Sequence, residues 1–357
     1  MKLFECDHCG QTVYFENGTC VSCGHRLGFD PGTTSLIALE VEGNGACHKT
    51  TDPTQRFYFC ANAELQGCNW LVSANSGDSF CPACRYNRLV PDISTDRGQE
   101  RFRRIGVAER HFFYSLLRWN IAPPGLSEMP DGGLVFDFLE DEVDGNGNVT
   151  PAMTGHQEGV ISLRAAEADD VTREIARTEM NEPYRTLLGH FRHEVGHYIW
   201  NLMVRDAGRL DTCRAVFGDD REDYGEALEQ HYRNGPVDGW EKNFVSAYAS
   251  THPWEDFAET FAHTLHIVDT LETARAFGLS VDGNEDSPLG DPYACSSAKR
   301  LAKAWVPLTL AMNSIHRSMG QRDFYPFVLT PPIVGKIDFM LTLLTSGHPH
   351  NVEGVSV

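Results

Sequence analysis

Nine of the eleven cysteines fall within the first 84 residues, and most of them come as spaced pairs. Cys6-Asp7-His8-Cys9 and Cys20-Val21-Ser22-Cys23 give C-x2-C, ten residues, C-x2-C, with Gly10 and Gly24 close behind. Chain turned in this way lets four thiolates converge on one tetrahedral, structural zinc ion. A second set is looser: Cys60 and Cys68 precede Cys81-Pro82-Ala83-Cys84. Cys60, Cys68, Cys81 and Cys84 are the first choice of ligands there, with Cys47 or His48 in place of Cys60 as the alternative. Short strands are expected at 12–15, 57–59 and 69–72. So small a segment buries little apolar surface, so metal must supply much of its folding energy. Two tandem zinc ribbons are therefore expected, at residues 1–32 and 45–97.

The net charge of the 357 residues is −20, and residues 1–97 hold 7 Lys/Arg against 11 Asp/Glu. An acidic ribbon segment speaks against nucleic acid and against an anionic membrane surface. No run approaches the roughly 18 apolar residues of a membrane helix, and Met1 to Cys6 carries no apolar signal segment. The expectation is a cytoplasmic protein whose cysteines serve as ligands rather than disulfides.

Beyond residue 97 the pattern turns helical. Phe102, Ile105, Ala108, Phe112, Phe113 and Leu116 give an apolar stripe to a helix over 95–119. Strands are expected at 134–139 and 159–163, with a turn at 144–148. That turn lacks the spacing and closing Glu of a calcium loop. Helices over 253–277, 298–319 (kinked at Pro307) and 333–344 follow. A polar loop is read at 282–292 and a loose tail from 347.

Within this part stands His193-Glu194-Val195-Gly196-His197. Two histidines four apart share a helix face, so both imidazoles can reach one zinc ion, and Glu194 is a candidate general base. Tyr184, Leu187, Leu188, Phe191, Val195, Tyr198, Ile199 and Leu202 supply helical periodicity. Asn181 is the expected N-cap and Pro183 a first-turn residue. Gly196 costs a helix about 1 kcal/mol against alanine, which calls for a reason such as close packing. The strand at 159–163 is the candidate edge along which an extended substrate would lie.

An open catalytic zinc site wants three protein ligands. Fifty-eight residues past His197, a helix opened by Pro253 carries Glu255, Asp256 and Glu259. One Glu as ligand and one as hydrogen-bond partner of a ligand histidine would complete the site. The competing reading is an acidic first turn that favours the helix dipole.

His-Glu-x-Gly-His followed by Glu-Asp-Phe-Ala-Glu-Thr-Phe resembles the gluzincin metallopeptidases and is similar to the catalytic domain of anthrax lethal factor. The resemblance implies zinc ligation by Glu255, support of a ligand by Glu259, and a place at the site for Tyr248, seven residues before Glu255. More closely, the chain resembles a bacterial family of zinc-binding metallopeptidases with an amino-terminal zinc-ribbon domain. Cys68-Asn69-Trp70, Phe80-Cys81-Pro82-Ala83-Cys84-Arg85, His252 to Glu259 and Asn313 to Gly320 carry that resemblance.

The expectation is an α+β protein. Tandem ribbons precede a mainly helical, zincin-like metallopeptidase domain with a small sheet at 98–346, then a tail at 347–357. Three zinc ions are expected, one catalytic and two structural. Glu194 would act as base on a peptide or protein substrate, with Tyr248 assisting. The alternative is a non-catalytic zinc-binding adaptor on the same fold.

Overall fold

The structure, a computed structural model, describes residues 2–43, 45–65, 67–180, 182–281 and 289–346. It opens with a two-stranded hairpin, β1 (Phe4–Glu5) against β2 (Thr12–Val13). A five-stranded antiparallel meander follows: β3 (Arg26–Asp30), β4 (Ser35–Val41), β5 (Cys47–Lys49), β6 (Asp52–Phe59) and β7 (Leu71–Ser73). The meander runs continuously from one cysteine set to the other. β2 ends two residues short of the expected strand, because Phe15 turns inward against Phe29, Trp70 and Tyr114.

The second sheet draws on both parts of the chain. Its strands are β8 (Asn87–Leu89), β9 (Val135–Leu139), β12 (Gly155–Gln157) and β13 (Val160–Arg164), in the order β12-β13-β9-β8. A separate hairpin, β10 (Glu142–Val143) with β11 (Val149–Thr150), surrounds the 144–148 turn, where Asp144 accepts from the Asn146 and Asn148 amides. β13 runs parallel to β9, and β8 runs parallel to β9 on the other side.

The expected edge strand at 159–163 is corrected here: β13 is interior, and β12 is the edge. A two-residue turn joins them, with Glu158 at φ 42° and Gly159 at φ 87°. Those values match the turn that suits the twist of antiparallel strands, but a glutamate is a poor signal for it.

Eight α-helices occur among the described residues: α1 (Asp96–Arg118), α2 (Asp170–Glu179), α3 (Leu187–Trp200), α4 (Leu210–Phe217), α5 (Tyr224–Asn234), α6 (Pro253–Ala276), α7 (Ala298–Ser318) and α8 (Pro331–Thr345). The Thr95 hydroxyl caps α1 by accepting from the Gly98 amide. α3 starts later than expected. Its N-cap is Thr186, which accepts from the Gly189 amide, and Pro183 and Tyr184 stand outside the helix. Asn181 lies outside the described residues, as do most of the expected loop at 282–292 and the tail from 347. α3 ends at Trp200 and passes into a wide turn over Asn201–Arg205, so Leu202 leaves the regular helix.

A large core runs from Phe4 to Leu344, with a small second cluster on the meander. Tyr86 stacks on Phe113 of α1 at 5.0 Å, and Phe136 of β9 meets Phe191 of α3 at 5.4 Å. α3 packs on α6 at the least bulky point available. A Cβ on Gly196 would lie 3.0 Å from the Ala258 Cα, so the glycine allows the two backbones to approach.

Candidate metal centres

Cys6, Cys9, Cys20 and Cys23 converge, and so do Cys60, Cys68, Cys81 and Cys84. The Sγ atoms of Cys6 and Cys23 are 3.7 Å apart, those of Cys9 and Cys20 3.6 Å, and those of Cys68 and Cys81 3.7 Å. A tetrahedron of sulfurs bonded to zinc at about 2.3 Å has edges of about 3.8 Å. Amides turn onto the sulfurs as well: Trp70 N–H donates to Cys68 and Cys81 N–H to Cys60. None of the eleven cysteines is in a disulfide. Cys47 is buried in a small cluster with Ile37, Leu39, Phe57 and Leu71 and belongs to neither set. His48 faces Glu40 and Glu42 instead. The two sites differ in cover. Cys9 is exposed and Cys23 half-buried, whereas all four sulfurs of the second site are buried.

The third grouping joins α3 to α6. His193, His197 and Glu255 bring one ligand atom each within 4.8 Å of the others. Glu255 Oε2 lies 3.0 Å from His193 Nε2 and 3.5 Å from His197 Nε2. The residue is 1% exposed, and Oε2 has no hydrogen-bond partner among the described residues. A buried carboxylate oxygen without a hydrogen bond is costly unless a cation lies beside it. Two imidazoles and a carboxylate are also the donor set that suits zinc, so these residues fit the metal.

Hydrogen bonds fix two of these side chains from behind. His193 Nδ1 pairs with Glu259 Oε1 at 2.7 Å, and Ser246 Oγ donates to Glu259 Oε2 at 2.5 Å. The Tyr224 hydroxyl donates to Glu255 Oε1 at 2.7 Å. Trp254 lies against His197, with ring centroids 3.9 Å apart. Burial works to raise the Glu255 carboxyl, but the His197 and His193 imidazoles hold it well below the usual range. Burial likewise opposes the charge on Glu259, yet His193 brings its carboxyl down to about 2. Glu194 is different: burial raises it, with His193 and His197 pulling the other way. A carboxyl shifted upward is suited to accept a proton and return it.

Tyr248 stands in a short turn packed on α6, its ring 5.8 Å from that of His193. Three further histidines of α3 and α6 have other first partners, although His263 Nε2 also lies 4.0 Å from Glu259 Oε2. His263 pairs with the Tyr325 hydroxyl, His266 with Arg192, and His190 faces Glu167 at 3.7 Å. Cys213 and Cys295 are buried apart from the cysteine sites.

Sequence reasoning missed Tyr224, Ser246 and His156. Tyr224 and Ser246 carry no motif. His156, on the edge strand β12, sits 6.3 Å from the His197 ring, with Trp254 at 6.1 Å.

Among curated proteins, the chain is 40% identical over 351 residues to uncharacterized protein Mb2598c of Mycobacterium bovis, covering 98% of this chain and 97% of that one. Uncharacterized proteins MT2644 and Rv2568c of Mycobacterium tuberculosis match with the same identity and coverage. No solved structure matches. Residues 3–95 match a family model described as a zinc-ribbon domain. Residues 98–343 match the model described as "Putative zinc-binding metallo-peptidase", and it is to that family that this chain, with its histidine–glutamate centre behind two four-cysteine sites, belongs.

Proposed function

We propose that the protein is a zinc-dependent peptidase whose catalytic ligands are His193, His197 and Glu255. The observation that carries this reading is the buried Glu255 Oε2, without a hydrogen bond and set between two imidazole nitrogens. Zinc bound there would supply Lewis acidity to a water molecule and to the scissile carbonyl. Glu194, raised by burial, accepts a proton from the attacking water and passes it to the leaving amine. Tyr248 donates to the oxygen on which negative charge develops. Glu259 and Ser246 hold the His193 ring in place. The edge strand β12 supports an extended peptide as substrate, which would add beside Gly155–Gln157. Cysteines grouped as metal ligands, with none of the eleven in a disulfide, support the cytoplasm as the working compartment.

The test is Glu194→Gln. It keeps zinc at the site and lowers peptide turnover by about a hundredfold or more. Wild-type turnover on a validated peptide substrate would overturn the reading. Zinc per chain is the companion measurement. Three ions in the wild type should fall to two in the His193→Ala, His197→Ala double variant. Two in both would leave the ribbons filled and favour the adaptor.

A further inference from the structure

Tyr224 comes from α5, a helix unlike its neighbours. None of its eleven residues is buried. Asp223 caps it through the Glu226 amide, and Gly235 (φ 81°) ends it in a backbone conformation that other residues rarely adopt. A cleft of about 670 Å³ runs along it, bordered by Glu226, Gln230 and His231. So apolar burial does little to fix this helix. What reaches inward is its first residue. The Tyr224 ring packs edge-on against His252 at 5.3 Å and Trp254 at 5.7 Å, and its hydroxyl donates to Glu255 Oε1 at 2.7 Å.

The two oxygens of Glu255 are thereby divided. Oε1 is held by Tyr224, while Oε2 faces His193 and His197. A carboxylate free to swing binds zinc through one oxygen or through both. One pinned by a phenol presents a single oxygen, which leaves the fourth position of a tetrahedral ion open.

We propose that Tyr224 is a positioning residue that keeps Glu255 a one-oxygen ligand of the catalytic zinc. This rests on the reading of His193, His197 and Glu255 as that zinc's ligands. Tyr224 differs from Tyr248 in acting through the ligand rather than on substrate.

The test uses Tyr224→Phe in the full chain, which keeps the ring and its contacts and removes only the hydroxyl. Two readouts are independent of turnover. In competition with a chromophoric zinc chelator, affinity at the central site falls by about tenfold to a hundredfold. The two four-cysteine sites retain zinc as in the wild type, which also reports that the variant is folded. With cobalt at the central site, the visible absorption weakens towards that of a five-coordinate ion as the second Glu255 oxygen joins. Unchanged affinity together with an unchanged cobalt spectrum overturns the proposal. Its failure is distinguishable from failure of the peptidase reading. If the His193→Ala, His197→Ala variant loses one zinc while Tyr224→Phe behaves as wild type, only the role of Tyr224 falls. If the double variant loses none, the ligand assignment falls with it.

Discussion

Lys336 of α8 lies 2.6 Å from Asp256 of α6, the residue directly after Glu255, and both are buried. The same ammonium donates to the Asn243 carbonyl at 2.6 Å and sits 4.2 Å from the centre of the Phe244 ring. Burial raises the Asp256 carboxyl to about 7, against the pull of Lys336. Removing one partner of a buried pair costs about 3–5 kcal/mol, whereas removing both costs far less. Lys336→Met should therefore shift the denaturant midpoint sharply downward. Lys336→Met with Asp256→Asn should recover much of that loss. Equal midpoints for the two variants would mean that the pair is not coupled.

Gly196→Ala tests the close approach of α3 to α6. The added methyl would meet the Ala258 Cα at 3.0 Å, the Ala258 carbonyl at 3.2 Å and the Phe261 ring edge at 3.2 Å. Overpacking of this kind costs about 1–3 kcal/mol, and it outweighs the roughly 1 kcal/mol that alanine gains in a helix. Because His197 and Glu255 stand on the two helices being separated, zinc affinity should fall along with stability. A more stable variant with unchanged affinity would show that the glycine is dispensable.

Zinc should leave the two ribbon sites in sequence. Cys9 is exposed, while Cys60, Cys68, Cys81 and Cys84 are all buried. A chelator and an alkylating reagent reach the first site without local opening. Mass spectrometry of a time course should find Cys9 and Cys23 labelled well before any cysteine of the second site. A single rate for all eight would contradict the difference in cover.

Glu109 sits fully buried on α1, hydrogen-bonded to Asn87. Burial pushes its carboxyl up from 4.5 to about 7, with Asn87 opposing. The folded state thus holds this proton more tightly than the unfolded chain. The sign follows: stability from this group is intact below pH 4.5 and is lost as the pH rises through 7. Glu109→Gln should stabilise the protein at pH 8 by up to about 3 kcal/mol, at 1.36 kcal/mol per pKa unit. The gain should vanish towards pH 4.5. Thermal unfolding at pH 8, 6.5 and 5 decides it, and a pH-independent difference would refute the raised carboxyl.

What could be read from the sequence shares a physical trait, close spacing along one element. His193 and His197 are one helical turn apart, and so are Glu255 and Glu259, so periodicity alone puts each pair on one face. The C-x2-C pairs are equally local. The helix over 95–119 showed itself through its apolar stripe, and α1 spans Asp96–Arg118. Tyr224 reaches Glu255 across 31 residues and Ser246 reaches Glu259 across 13, and neither sits in a repeating pattern. Three-residue strands such as β12 and β8 are too short for alternation to register. Their pairing partners, not their own composition, make them strands.

The strand at Asn87–Leu89 lies upstream of residue 98, where the match to the metallopeptidase family begins, yet it borders Val135–Leu139 in the sheet. A fragment cut to that match would strip β9 of one of its two neighbours and make it an edge. Val135, Phe136 and Phe138, all buried in the full chain, would then lie along an open row of unpaired amides and carbonyls. An apolar, unprotected sheet edge recruits other chains. Such a fragment is therefore expected to aggregate, and on that expectation the ribbon segment, through Asn87–Leu89, would guard the helical half against self-association.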